Sequence, residues 1–131
     1  MALDQARANE ILTGMHGGSF TAYTAPIHVR IVTANGTATA NGTEVATGGG
    51  YTSGTGAPSV TFAAAAAGSQ ATNAAVNITN YPRAETVVGI ELWDSTGTPK
   101  RIEWGALAAS KTMASGDTLS FASGAITSAL A

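Results

Sequence analysis

Apolar and polar residues alternate along most of this chain, and the alternation changes period only once. Ala8, Ile11, Leu12 and Met15 recur at helical spacing, which predicts a helix over residues 2–13. Asp4 falls in its first turn, where a carboxylate suits the helix dipole, and Gly14, Gly17 and Gly18 end it. From there the period is two. Ile27, Val29 and Ile31 alternate with His28 and Arg30. Val60 and Phe62 flank Thr61, and Val76 and Ile78 flank Asn77. Val88, Ile90 and Leu92 share one face of a strand, with Val87, Glu91 and Trp93 on the other. Ile102 and Trp104 flank Glu103, Leu119 and Phe121 flank Ser120, and Ile126, Ser128 and Leu130 close the series.

Turn-forming residues punctuate these runs. DSTGTP at 94–99 reads as a hairpin loop, and SGD at 115–117 precedes LSF. TANGT at 33–37 recurs at 39–43 and reads as a polar, turn-rich excursion. AAAAAG at 63–68 reads as carrying a strand into a loop or packing closely against a neighbour. Strands do not alternate with helices, so a doubly wound parallel sheet is not expected. The prediction is a mainly β chain: one antiparallel β-sandwich, jelly-roll or Ig-like, over 1–131. It has a short N-terminal helix and turn at 1–18 and a β region at 19–131.

Composition changes this picture in one respect. The hydrophobic share is 44%, but 27 residues are alanine, and Ile, Leu, Val and Phe together number 23. Net charge is only −2, so the lean core does not signal disorder. A core of small residues buries little apolar area per residue, and association would add burial. An oligomer, or a subunit docked on a larger assembly, is therefore expected. With 11% charged residues and a slightly acidic balance, neither nucleic acid nor an anionic membrane surface is an expected partner. The N-terminus lacks the basic-then-apolar order of a signal peptide, and no apolar run is long enough to span a bilayer. Cysteine is absent.

Chemistry is hard to place. GGGYTSGTG at 48–56 holds five of the 16 glycines. It lacks the Gly-Lys pair of a Walker loop, and Ser53 stands where the third glycine of a dinucleotide fingerprint would be. Tyr51 is its one large residue, and the glycines suit a bulge, a tight bend or a close backbone contact. His16 and His28 lie in different elements, and His28 reads as a surface or interface residue. Asp94 and Asp117 sit in turns, where aspartate bonds the local backbone. Glu91 and Glu103 could face each other across the 94–99 hairpin, on the outer side of their strands, as an exposed polar face. No serine lies in G-x-S-x-G. No catalytic, cofactor-binding or metal-binding residue is assigned. Trp93, Trp104 and Tyr51 could form an aromatic platform for a sugar, so a glycan-binding host-attachment module is the alternative function.

The order of segments carries a resemblance. A short helix is followed by TAYTAPIHVRIVTA at 21–34, GTEVATGGGY at 42–51, VTF at 60–62, TNAAVNIT at 72–79 and VVGIELWDSTG at 87–97. WGALAASKTMASGDTLSFASGAIT at 104–127 is the most distinctive block. As a set these resemble small structural proteins of tailed-bacteriophage virions, often labelled tail-fibre or minor tail proteins. TSGTGAPS at 52–59 and the NGT-rich stretch at 35–43 depart from that pattern. The resemblance implies a non-enzymatic virion component without cofactors, made in the host cytoplasm and displayed on the particle exterior. Its partners would be further copies and other virion proteins, either the capsid protein, if it decorates the head, or tail proteins. The expected contact residues are Ile11, Leu12 and Met15 on the helix, and Gly48, Gly49, Gly50 and Tyr51 in the glycine-rich loop.

Overall fold

The computed structural model describes residues 1–130. The chain is mainly β, its strand pairs are antiparallel, and it has one α-helix. β1 (Ala2–Leu3) leads into α1 (Gln5–Met15), and then come β2 (Ile27–Ala34), β3 (Thr43–Glu44) and β4 (Ser59–Val60). β5 (Ser69–Ala71), β6 (Val76–Ile78), β7 (Glu85–Trp93), β8 (Arg101–Met113), β9 (Leu119–Phe121) and β10 (Thr127–Ala129) follow. The main sheet runs β1-β8-β7-β2-β3, with β4 also paired to β2. β5–β10 and β6–β9 are separate two-stranded ribbons.

The register explains where the core sits. Val29 pairs with Leu92 and Ile31 with Ile90, so all four point to one face. Val76 and Ile78 of β6 and Leu119 of β9 join them in one buried cluster with Val45, Val60, Tyr51 and Tyr81. The β6–β9 ribbon thus closes over the main sheet as a second layer, in a sandwich-like arrangement. Ser128 of β10 donates to the Glu103 carboxylate, which brings the β5–β10 ribbon onto the same face.

Three expectations need correction. The helix begins and ends later than 2–13, because Ala2 and Leu3 pair with Trp104 and Glu103 as a strand. Asp4 is then the N-cap, its side chain accepting from Ala6 N–H, rather than a first-turn residue. Around Glu103 the expected facing is inverted. Glu103 pairs with Leu92 and so faces the core layer, whereas Trp104 pairs with Glu91 on the opposite face. Val87, not Val88, joins the core; there the β7–β8 ladder slips, from Gly89↔Ala106 to Val87↔Lys111. Residues 107–110 of β8 bulge at that slip, and β1 flanks only Glu103 and Trp104 along the outer edge of β8.

Candidate functional site

The helix face expected to make contacts divides in two. Ile11 is half-buried against the sheet, but Leu12 is 53% exposed and Met15 72%. Phe20, just past the helix, is 49% exposed, and its β-carbon side lies against Gly14. Phe20 meets the Tyr23 ring edge-on at 6.0 Å. Tyr23 in turn donates to Glu10 at 3.1 Å, and burial, with the Glu10 carboxylate second, pushes its phenol up to about 12. Leu12, Met15 and Phe20 therefore form an apolar surface around the end of α1. Phe20 was not among the expected contact residues, because no periodicity marks a residue in a loop.

The glycine-rich loop has a different construction. Gly48 and Tyr51 exchange both backbone hydrogen bonds at 2.9 Å, so Gly49 and Gly50 form a two-residue turn. Gly49 has φ +52°, and Gly50 N–H donates to Asn80 O at 2.9 Å. A β-carbon at Gly50 would fall well inside contact distance of the Thr79 carbonyl oxygen. The bend and close backbone contact expected of this segment are both present. Its exposed part is Gly49 and Gly50; Tyr51 is only 1% exposed. The Tyr51 hydroxyl donates to Glu44 at 2.8 Å and accepts from Ile31 N–H at 3.3 Å. Burial first, then the Glu44 carboxylate, raises the phenol far above its usual range. Tyr51 thus anchors the loop inward and presents no ring to a neighbour.

Glu91 and Glu103 do not form the expected exposed pair. Both are buried, and they lie on opposite faces. On the Glu91 face the sequence hid an ion network. Arg101 bonds Glu91 at 3.0 Å and Asp4 at 2.8 Å. It also donates to the Ala40 and Thr37 carbonyls at 2.6 and 2.5 Å. Gly42 N–H and Trp93 Nε1 donate to the same Glu91 carboxylate. The TANGT repeat is thus the lid of this network, with its backbone aimed at two charges. Arg30 lies 4.0 Å above the Trp93 ring, and Trp93 is buried. With Tyr51 also inside, the three aromatic residues form no open platform.

Two further groups have catalytic-looking geometry. Buried His28 places Nε2 2.9 Å from Ser95 Oγ and Nδ1 2.6 Å from the Ala57 carbonyl. Expected as a surface or interface residue, the side chain is instead buried within the chain. Ser95 donates its hydroxyl proton to Pro26 O at 2.5 Å, away from the imidazole, so the pair clasps two loops rather than arming a nucleophile. Asp94 accepts from Lys100 N–H at 2.7 Å and from the Thr96 hydroxyl at 3.0 Å. Burial alone would raise its carboxyl, but these bonds, with backbone bonds from Thr96 and Thr24, hold it below the usual range. Asp94→Ala removes a buried acceptor from the 94–100 hairpin and is expected to cost about 2–4 kcal/mol, read from urea unfolding at neutral pH.

Glu103 titrates in the opposite direction. Burial pushes its carboxyl up, against the Ser128 hydroxyl and the N-terminal ammonium. The folded chain holds this proton more tightly than the unfolded one. Its stabilisation is complete below the ordinary carboxylate range and is lost as pH rises through the raised value. Glu103→Gln cannot ionise. It should melt higher than the parent at pH 7 by calorimetry, with the gap closing toward pH 4.

The family model described as podophage GP4 fiber I protein gp80 matches residues 2–129. The chain belongs to that family. No curated protein matches it. The match runs through α1, every strand and the TANGT lid, so the segments that depart from the recognised pattern lie within the family's span. A phage fibre protein is a structural component of a virion, and this family's member has its buried charges engaged in holding loops. No helix here is long and apolar enough to cross a membrane among the described residues.

Proposed function

We propose that the chain is a repeated exterior subunit of a tailed-phage fibre and acts by association rather than catalysis. It assembles with further copies of itself and with neighbouring tail proteins. The family match over residues 2–129 is the observation that carries this reading, and it favours a fibre over head decoration. The apolar surface of Leu12, Met15 and Phe20 supports it, as an interface of this kind needs a desolvated apolar centre. The Gly48–Gly50 turn offers exposed backbone as a second contact, with Tyr51 holding it in place. Many weak contacts of this sort multiply along a fibre by avidity.

The test is the double variant Leu12→Glu, Met15→Glu. Both side chains are largely exposed, so the melting temperature should stay within about 2 °C of the parent. Sedimentation velocity should shift toward smaller species, and incorporation into particles, counted by quantitative immunoblot, should fall at least tenfold. Unchanged assembly and incorporation would remove the helix from the interface.

A further inference from the structure

On the core-facing side of β8 lies a cavity of about 240 Å³, open at one end. Its apolar walls come from six parts of the chain: Leu3, Ile11, Ile27, Phe62, Leu92 and Leu130. Leu130 is 62% exposed and Ile11 half-buried, and these two belong to its outer part. The buried carboxyl of Glu103 forms part of the lining, with Gln70, Ser128 and Tyr23 as the other polar members.

The Ser128 hydroxyl donates to Glu103 Oε1, and the Gln70 amide nitrogen donates to Ala63 O at 2.8 Å. The Tyr23 hydroxyl donates to Glu10. The two hydroxyl protons and one of the two Gln70 amide hydrogens are therefore engaged, which leaves one Gln70 N–H as a donor among these groups. Acceptors outnumber it: Glu103 Oε2 and Gln70 Oε1, to which no donor is bonded among the described residues, and the lone pairs of the two hydroxyls. Ser128 and Gln70 are direct cross-strand partners, so their side chains stand together on one side of the β5–β10 ribbon, beside Glu103. An apolar cavity whose one charge is a carboxylate, and whose free polar atoms are mostly acceptors, suits a ligand with an apolar stem and a positively charged, donating head. An ammonium offers three donors and a charge opposite to that of the carboxylate. The volume lies below the about 300–1,000 Å³ of sites for drug-sized ligands, so a short chain end fits and an oligosaccharide does not.

We propose that this cavity is a binding site for an alkylammonium group, the chemistry shared by small primary amines and the lysine side chain. One source of that group is the chain itself. Its four arginines are all in ion pairs: Arg7 with Glu10, Arg30 with Glu44, Arg83 with Glu85, and Arg101 with Asp4 and Glu91. Lys100 and Lys111 are exposed and have no ion pair among the described residues. A lysine of one copy seated in the cavity of the next would be a head-to-tail contact, which repeats without closing on itself.

The test is a methyl NMR titration of the intact protein with n-butylammonium chloride, against n-butanol and against sodium chloride at equal ionic strength. n-Butylammonium should saturably shift the Ile11, Leu92 and Leu130 methyl signals, and n-butanol should bind about tenfold or more weakly. Glu103→Gln should weaken n-butylammonium about tenfold or more and leave n-butanol unchanged. Gln70→Leu, at a half-buried position, should weaken it several-fold and covers the case in which Glu103→Gln fails to fold. Equal binding of amine and alcohol, no saturable shift at those methyls, or full affinity in both variants would overturn the proposal. Lys100→Ala and Lys111→Ala then separate the sources. If either weakens self-association, and n-butylammonium competes with the parent's, the amine is a neighbour's lysine. If neither does, it is a free small molecule. The site stands apart from the fibre reading, since its failure leaves the helix surface untouched.

Discussion

Replacing Arg101 with alanine should lower the unfolding free energy by about 3–5 kcal/mol. The side chain is 2% exposed, and the Glu91 side chain it pairs with is 3% exposed. Removing one member of such a pair leaves the other charge without its ion partner in a medium that solvates it poorly. Glu91 would keep two neutral donors, Trp93 Nε1 and Gly42 N–H, which offset a charge only in part. The Thr37 carbonyl would lose its donor and the Ala40 carbonyl one of its two, the other being Thr37 N–H, so the 35–42 loop should loosen as well. Hydrogen exchange at residues 36–42 separates this local effect from the global one. Arg101→Lys should not rescue, because one ammonium cannot reach four acceptors spread around a planar fork. The double variant Arg101→Met, Glu91→Leu should recover most of the loss, since it deletes both charges together. If Arg101→Ala costs under about 1 kcal/mol, the network contributes no more than a surface ion pair.

The second large effect is expected at a residue with no side chain. Gly50→Ala should cost about 3 kcal/mol or more, because the new methyl meets the Thr79 carbonyl oxygen, which is backbone and cannot swing aside. Relieving it means moving the Gly48–Tyr51 turn off residues 79–80, and Tyr51 is pinned beneath. Gly97→Ala is the control. Nothing lies within 4 Å of its β-carbon position and its φ is not positive, so a change within about 0.5 kcal/mol is expected. Parallel thermal melts of the two variants make the comparison. Equal melts would mean that the glycine run serves flexibility rather than close packing.

Much of the sheet could be read from alternation. Val29 and Ile31 face inward as their spacing says, because β2 and β7 have one apolar and one polar side along most of their length. The rule failed at Glu103. There the residues flanking it are apolar, and parity alone puts the glutamate outside. Both faces of β8 are covered at that level, by the β5–β10 ribbon on one side and by the TANGT lid on the other, so alternation has no solvent side to report. The helix boundary failed for a related reason. Ala2 and Leu3 have good helical residue types, but pairing with β8 overrides propensity, and Asp4 becomes the residue at which the chain changes conformation. The buried network could not be read at all. Asp4, Glu91 and Arg101 are 97 and 10 positions apart in the bonded pairs, and nothing short-range links them. The glycine-rich loop was legible as a bend but not as an inward-anchored one, since a tyrosine can serve as a core residue or as a contact residue equally well.

The slip at residues 107–110 has a consequence for how the chain avoids aggregation. A chain with the outer edge of β8 covered along two residues risks sheets joining edge to edge into ribbons. A bulged edge cannot keep hydrogen-bond register with a straight incoming strand, and Lys111 adds a charge that would have to be desolvated there. The irregularity in β8 thus acts as a gatekeeper. It leaves the ordered surfaces free to direct assembly and closes the route to aggregation that a regular strand would have opened.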